Sequence, residues 1–311
     1  MDHVARFTPA DLSKGPGVDL TAYRWRLLAH GDTWFAPPGA SPGQASLLAE
    51  LQFKDPTCIV DCAQAALTGQ GLLRHVVDLA ATPDFVRLLS APDAPAWDGI
   101  VLSVGGGDLI AAASVPAHLG DAEVPLDRRL LRHQTEWGAP SAGVGRYFSE
   151  AGWATLAGYL RANLRHILSL RDQGPSARKP VFIHCYAPPT PRPAGIEAPG
   201  QAPRGPWLYP AMRAYALPAA DWPAFGRLLV SRLAQELRRM AQDTENFPAL
   251  QVFDSTAVPL AAAATAATGS SGDWHDEIHL NHSGALKLGR AWSEAIGRVL
   301  DPPPPVSTRR R

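Results

Sequence analysis

The sequence predicts an α/β protein with a mainly parallel central sheet and helices on both of its faces. Five short apolar runs, rich in Val, Ile and Leu and bounded by polar or turn residues, are typical of buried strands. The predicted strands are Trp25–His30, Cys58–Cys62, Gly99–Val104, Val181–Cys185 and Ala249–Asp254. Helical patterns separate these runs, and such alternation indicates parallel pairing with right-handed crossovers.

Four segments carry the helical patterns. The first, residues 71–80, follows the second strand, and the last covers about 283–300. Between them, one long helix is predicted from an apolar stripe at spacings of three and four. The stripe consists of Trp153, Leu156, Leu160, Leu164 and Leu168. A further helix is expected after Asp221, a suitable N-cap, with Pro223 in its first turn.

Length and composition favour one domain with a substantial core. The chain has 311 residues, of which 46% are hydrophobic and 19% charged, so it can bury enough apolar surface to fold. We expect a single domain over 1–301, with loop insertions at about 111–141 and 188–210. The insertion at 188–210 is dense in Pro and Gly, which predicts an irregular loop. Residues 302–311 form a Pro/Arg tail.

Charge and cysteine content exclude several classes of protein. Lys and Arg number 29, as do Asp and Glu, which argues against a nucleic-acid binder. Three cysteines do not make a disulfide framework, and no two of them have the spacing of a metal-finger motif. We find neither the apolar core of a secretory signal nor an apolar run long enough for a membrane span. The sequence therefore predicts a soluble, cytoplasmic protein and leaves its oligomeric state open.

Chemically useful groups follow the predicted strands. Ligands of open parallel sheets bind outside the carboxyl ends of the strands, so these residues are candidates for a site. Residues 31–35 (GDTWF), 68–71, 105–108 (GGGD) and 273–279 (DWHDEIH) occupy such positions. Together they offer a hydroxyl nucleophile, glycine turns with free N–H groups, a carboxylate and a histidine. This set is suited to acyl transfer.

These blocks resemble the SGNH (GDSL-type) hydrolase family, in particular a bacterial group with a first block GDSWF and a last block like DWxNEIHPT. Here the first block reads GDTWF, the third SVGGGD in place of the usual SGGGND, and the last DWHDEIHLN. The segments HCYAPP and GPWL are also similar to this group. The blocks keep the family's order from Leu27 to Leu300. The resemblance implies a three-layer α/β/α sandwich, flavodoxin-like, with a five-stranded mainly parallel sheet.

The resemblance also implies a reaction and the residues that perform it. The family hydrolyses carboxylic esters of small molecules and needs no metal or cofactor, because the chemistry is addition and elimination at one carbonyl. By position, Thr33 would be the nucleophile, His279 the base and Asp276 the carboxylate that orients it. The oxyanion and binding groups would be Gly69, Gly106, Gly107 and Trp34, together with the Thr33 N–H.

Two residues depart from the family pattern. Thr33 stands where the family has serine, and Gly107 stands where an Asn side chain donates to the oxyanion. A β-branched nucleophile has a restricted χ1 and places a methyl near the substrate. Loss of one oxyanion donor typically lowers turnover by about 10²–10³-fold. The sequence thus indicates an esterase or lipase-like enzyme of modest activity or altered specificity, and alternatively a catalytically impaired binding protein of the same fold.

A metal-dependent hydrolase is a further alternative. The segment His275-Asp276-Glu277-Ile278-His279 is similar to an HExxH metalloprotease helix, with His282 as a third ligand. However, the segment lies between Gly272 and Ser283 and has the character of a loop entering a helix. Elsewhere at the strand ends, His184 is predicted to be a core histidine and Asp32 to be structural.

Overall fold

A computed structural model describes residues 4–13, 18–35, 43–63, 75–196 and 204–302. Their main sheet has six strands in the order β1-β3-β2-β4-β7-β8, and all neighbouring pairs in it are parallel. The strands are β1 (Val4–Phe7), β2 (Trp25–Gly31), β3 (Thr57–Asp61), β4 (Gly99–Ser103), β7 (Val181–His184) and β8 (Leu250–Phe253). The α/β class is confirmed, and the five predicted strands are found to within one residue at each end.

The predicted sheet was one strand short, because β1 was not recognised. β1 pairs with β3 at the edge of the sheet, in register from Val4 opposite Thr57. All four of its residues are only half-buried, so it lacks the continuous apolar run of the central strands. The guanidinium of Arg6, in β1, donates hydrogen bonds to the carbonyl oxygens of Ala49 and Leu51, in the segment that precedes β3.

Eight helices accompany the strands in the described residues. They are α1 (Pro9–Leu12), α2 (Val76–Ala81), α3 (Pro83–Ser90), α4 (Gly106–Ser114), α5 (Glu150–Gln173), α6 (Leu208–Ala214), α7 (Trp222–Gln242) and α8 (His282–Leu300). The stripe predicted for α5 is confirmed, since all five of its residues are buried. The helix predicted over 71–80 begins at Val76, and residues 71–74 lie outside the described part of the chain.

α7 starts where the sequence predicted, but its cap differs. Asp221 occupies the N-cap position and Pro223 the first turn, yet the Asp221 side chain does not bond the helix N–H groups. Its carboxylate instead accepts a hydrogen bond of 2.5 Å from the Tyr147 hydroxyl. Arg146 lies 3.4 Å from the same carboxylate. The Asp221 carboxylate therefore binds two donors from another segment in place of the N–H groups of α7.

The two predicted insertions contain mostly irregular backbone. Residues 111–141 begin inside α4 and continue through the hairpin of β5 (His118–Leu119) and β6 (Ala122–Glu123). The described parts of the Pro-rich loop, 188–196 and 204–207, have no helix or long strand before α6. No helix among the described residues is long and apolar enough to cross a membrane.

The order of the strands places a switch point between β2 and β4. β3 lies on one side of β2, whereas β4, β7 and β8 follow on the other. With right-handed crossovers, the helices that link β3 to β8 cover one face, and α8 with the segment after β2 covers the other. Gln52 belongs to the segment after β2, and a hydrogen bond of 2.8 Å from its N–H to Ser293 Oγ joins this segment to α8. Ligands of such sheets bind at this switch point.

Two glycines of α5 allow a matched test of its packing. A Cβ on Gly152 would overlap the carbonyl oxygen of Arg129, whereas a Cβ on Gly158 would have no atom within 4 Å. We expect Gly152→Ala to lower the free energy of unfolding by about 3 kcal/mol or more. Gly158→Ala should raise it by roughly 0.5–1 kcal/mol, since alanine favours the helix. Denaturant unfolding of both variants measures the difference, and equal effects would contradict the packing described.

Candidate active site

Thr33 lies directly after β2, in the short 3-10 turn Thr33–Phe35. Its Oγ1 is 2.7 Å from Nε2 of His279. The turn is tightly packed, because a Cβ on Gly31 would lie 2.7 Å from the Phe35 ring and 2.8 Å from Ser103. The Gln44 amide also donates to the Thr33 carbonyl oxygen at 2.9 Å. These contacts fix the backbone that carries the hydroxyl.

His279 and Asp276 lie in the loop that precedes α8. Nδ1 of His279 is 2.8 Å from Asp276 Oδ2, and the other oxygen, Oδ1, accepts the N–H groups of Ile278 and His279. Burial alone would raise the pKa of Asp276, but the neighbouring imidazole and these hydrogen bonds outweigh it and hold the pKa below its usual value. An ionised Asp276 selects the tautomer with hydrogen on Nδ1, which leaves Nε2 to accept a proton from Thr33.

Glu277 fastens this loop to the Pro-rich loop. Its carboxylate is buried and accepts the backbone N–H groups of Trp207, Leu208, Tyr209 and Arg192. Burial outweighs these four hydrogen bonds and raises the pKa of Glu277 to about 7. The residue next to Asp276 in the chain thus ties the start of α6 to the loop that bears the histidine.

Two further contacts run between the same loops. The guanidinium of Arg192, fully buried, donates to the Asp276 carbonyl oxygen at 2.7 Å. The ring of Trp207 contacts the His279 imidazole edge-on, with centroids 5.0 Å apart. The imidazole is therefore restrained by its carboxylate on one side and by an indole on another.

A buried polar network surrounds Asp32. Its Oδ1 accepts from Ser103 Oγ at 2.8 Å and from the Trp34 N–H at 3.0 Å, and its Oδ2 accepts from the Tyr186 hydroxyl. His184 Nε2 lies 2.8 Å from Ser103 Oγ, and His184 Nδ1 accepts the Tyr186 N–H at 3.2 Å. Burial raises the pKa of Asp32, although the Tyr186 hydrogen bond opposes it. As expected from the sequence, His184 is a fully hydrogen-bonded core residue.

Tyr186 and Gly106 fit against each other beside this network. Tyr186 has a φ of 61°, in the left-handed region that side chains rarely adopt. A Cβ on Gly106 would lie 2.6 Å from the Tyr186 ring, so only glycine fits there. Gly106 and Gly107 are the first residues of α4, so the N-terminus of this helix lies beside the Tyr186 ring.

A pocket of about 530 Å³, including its open mouth, lies beside Thr33. Trp34, Gly106 and Gly107 are among its lining residues. The remaining described lining residues are Asp32, Leu109, Ile110, Tyr186, Ala187, Pro189, Leu208, Leu229, Val230, Leu233 and Ile278. Apolar side chains, five of them from α4 and α7, therefore make up most of its wall.

Most of the site residues expected from the resemblance come together at this sheet edge. Thr33, His279 and Asp276 form one hydrogen-bonded chain, and Trp34, the residue after Thr33, stacks on His184. Gly69 lies outside the described residues. Sequence reasoning missed Tyr186, Glu277 and Arg192 as parts of the site. Tyr186 and Glu277 had a signal, because they stand inside the similar segments HCYAPP and DWHDEIHLN.

The segment compared with HExxH does not form a helix. Its His275 N–H donates to the His279 carbonyl oxygen at 2.8 Å, as in a turn, and α8 begins only at His282. Nδ1 of His282 is 3.0 Å from Glu50, away from His279. Among the described residues, no group of three or more His, Cys, Asp or Glu side chains is arranged to hold a metal ion. The geometry therefore does not favour the metal-dependent alternative.

Several solved structures are similar to this chain. A candidate arylesterase from Agrobacterium tumefaciens strain C58 is 17% identical, with 88% of this chain and 98% of that chain covered and a TM-score of 0.39. An acetyl xylan esterase variant from Geobacillus stearothermophilus is 15% identical, with 88% and 95% covered and a TM-score of 0.37. An extracellular lipase from Streptomyces rimosus is 13% identical, with 75% and 81% covered and a TM-score of 0.36.

No protein-family model and no curated protein sequence matches the chain. At these identities and TM-scores, the likenesses to solved structures do not assign an activity.

The buried His184 predicts a pH dependence of stability. Burial lowers its pKa from 6.5 to about 3. The unfolded chain takes up a proton there below pH 6.5 that the folded protein does not, so stability falls as the pH drops. At pH 5 the loss from this residue should be about 2 kcal/mol. Urea unfolding at pH 7 and pH 5 should therefore show a smaller loss for His184→Gln than for the wild type.

His166→Gln, which removes an exposed histidine of α5, is the matched control and should keep the wild-type pH dependence. If His184→Gln also kept it, His184 would have to accept its proton in the folded protein.

Proposed function

We propose that the protein hydrolyses carboxylic esters of small molecules, with Thr33 as nucleophile, His279 as base and Asp276 as its orienting carboxylate. The observation that carries the proposal is the unbroken chain of two hydrogen bonds, 2.7 Å from Thr33 Oγ1 to His279 and 2.8 Å from His279 to Asp276. Nucleophile, base and orienting group within hydrogen-bond reach are the signature of an activated hydroxyl. Retention of both hydrogen bonds favours a hydrolase over a binding protein.

The reaction follows from these positions. Thr33 Oγ1 attacks the ester carbonyl carbon while His279 Nε2 takes its proton, which forms a tetrahedral intermediate. The proton then passes from Nε2 to the leaving alcohol oxygen, the C–O bond breaks, and the acyl group remains on Thr33. Water, deprotonated by His279, attacks the acyl-enzyme, the bond between Oγ1 and the acyl carbon breaks, and the proton on Nε2 returns to Thr33 Oγ1 as the acid is released. Asp276 stays ionised and stabilises the imidazolium in both halves.

The oxyanion would be held by backbone N–H groups. Thr33 supplies one, and Gly107 supplies another from the first turn of α4, where the helix dipole also favours negative charge. The low exposure of the pocket walls strengthens such hydrogen bonds, because little water competes for them. A backbone donor at residue 107 would take over the role that the family gives to an Asn side chain.

Removal of the nucleophile or of the base should abolish the activity. For Thr33→Ala and His279→Ala we expect kcat/KM on p-nitrophenyl esters to fall by roughly 10³-fold or more. Thr155→Ala, on the exposed face of α5, is the matched control and should be unaffected. Wild-type activity that persists in Thr33→Ala would refute Thr33 as the nucleophile.

Restoration of the family's residues should raise the rate. In Thr33→Ser/Gly107→Asn the nucleophile loses its methyl and the oxyanion gains an amide donor, so kcat should rise by up to about 10²-fold. Steady-state kinetics of the double variant and of both single variants would separate the two contributions. A double variant that loses activity while remaining folded would mean that this site is built around threonine and glycine.

A further inference from the structure

We propose that the pocket beside Thr33 binds the acyl part of the ester and makes the protein selective for uncharged aliphatic acyl groups longer than acetyl. This inference rests on the proposed function, since it concerns the substrate of the same site. It draws on three features of the pocket, namely its lining, its position relative to His279 and its size.

The inner wall of the pocket is apolar. Its lining includes Leu109 and Ile110 of α4 and Leu229, Val230 and Leu233 of α7. Burial of methylene groups against such side chains is favourable, at roughly fourfold in affinity for each methylene.

The polar side chains in the lining of the pocket already have hydrogen-bond partners within the protein. The Asp32 carboxylate accepts hydrogen bonds from Ser103 and Tyr186, and Thr33 bonds to His279. No Lys, Arg, His or Glu is among the described lining residues, so a charged acyl group would find no counter-ion there. An uncharged hydrocarbon chain is the group that fits this environment.

The position of His279 decides which part of the ester enters. The leaving alcohol oxygen must receive its proton from Nε2, so the alcohol has to lie on the side of His279. His279 is absent from the described lining of the pocket, whereas the proposed oxyanion donor Gly107 is part of it. The group that extends from the carbonyl carbon past Gly107, away from His279, is the acyl chain.

The size of the pocket makes acetyl a poor fit. Five aliphatic side chains of α4 and α7 line it, and a single methyl group cannot contact all of them. An acetyl ester would leave most of the apolar wall uncovered, and each further methylene would add contact until the end wall is reached. Selectivity among acyl groups would then follow from chain length.

Two series of esters separate the acyl side from the alcohol side. Methyl esters of acetic, butyric, hexanoic and octanoic acid vary the acyl group, and methyl, butyl, hexyl and octyl acetates vary the alcohol. With release of acid followed in a pH-stat, kcat/KM should rise about fourfold per methylene over the first members of the acyl series. The alcohol series should change little. The reverse pattern would mean that the pocket holds the alcohol and would overturn the inference.

Variants that change the pocket provide the second arm. Ile110→Phe narrows it and should lower the octanoate-to-acetate ratio of kcat/KM at least tenfold. Val230→Ala widens it and should move the preferred chain to greater length. Ala111→Phe, the next residue of α4 and outside the described lining, is the matched control and should keep the wild-type ratio.

The outcomes distinguish this inference from the function on which it rests. Loss of all ester hydrolysis, or hydrolysis that does not need Thr33, would refute the proposed function. Hydrolysis that needs Thr33 but shows no dependence on acyl length, or the same dependence in both pocket variants, would refute only the acyl pocket.

Discussion

The buried carboxylate of Asp32 is the constraint on which the site depends. A buried carboxylate is tolerated only when several donors surround it, and here the donors come from different strand ends. Ser103 closes β4, Tyr186 follows β7, and Trp34 belongs to the turn after β2. Asp32 therefore locks three strand ends to one another. Since Thr33 is the next residue, the position of its hydroxyl is fixed by the same hydrogen bonds that join the strands.

The other half of the site is held by a second set of buried polar groups. Glu277, in the loop that bears His279, accepts hydrogen bonds from the backbone at the start of α6. Arg192, in the Pro-rich loop, donates to the Asp276 carbonyl oxygen, so the histidine loop is joined to the Pro-rich loop. Neither residue contacts Thr33, yet together with Asp32 they set the 2.7 Å separation between nucleophile and base. Precise placement of reacting groups accounts for much of the rate enhancement of enzymes, which explains why two costly buried networks would be retained.

How well the sequence predicted this structure depended on the physical signal of each part. Strands inside the sheet are largely buried and form continuous apolar runs, so β2, β3, β4 and β7 were predictable, whereas the half-buried edge strand β1 was not. The other edge strand, β8, is also half-buried at three of its four residues, but its apolar residues were recognised. Thr33, Asp276 and His279 were predictable from motifs at strand ends. Tyr186 was not, because its place against Gly106 depends on a backbone φ of 61°, which residue types do not reveal. The bonds of Glu277 and Arg192 join segments distant in sequence and have no local pattern.

The rigidity of the turn also bears on the use of threonine in place of serine. A threonine side chain has few favourable χ1 values, so its hydroxyl direction follows from the backbone conformation. Where the backbone is mobile this is a disadvantage, because the hydroxyl cannot rotate to meet its base. Here Asp32, Gln44 and the close packing at Gly31 fix the backbone, and Oγ1 lies 2.7 Å from His279 Nε2. The β-branch then lowers the entropy that must be lost before attack, so a fixed turn makes threonine a reasonable nucleophile.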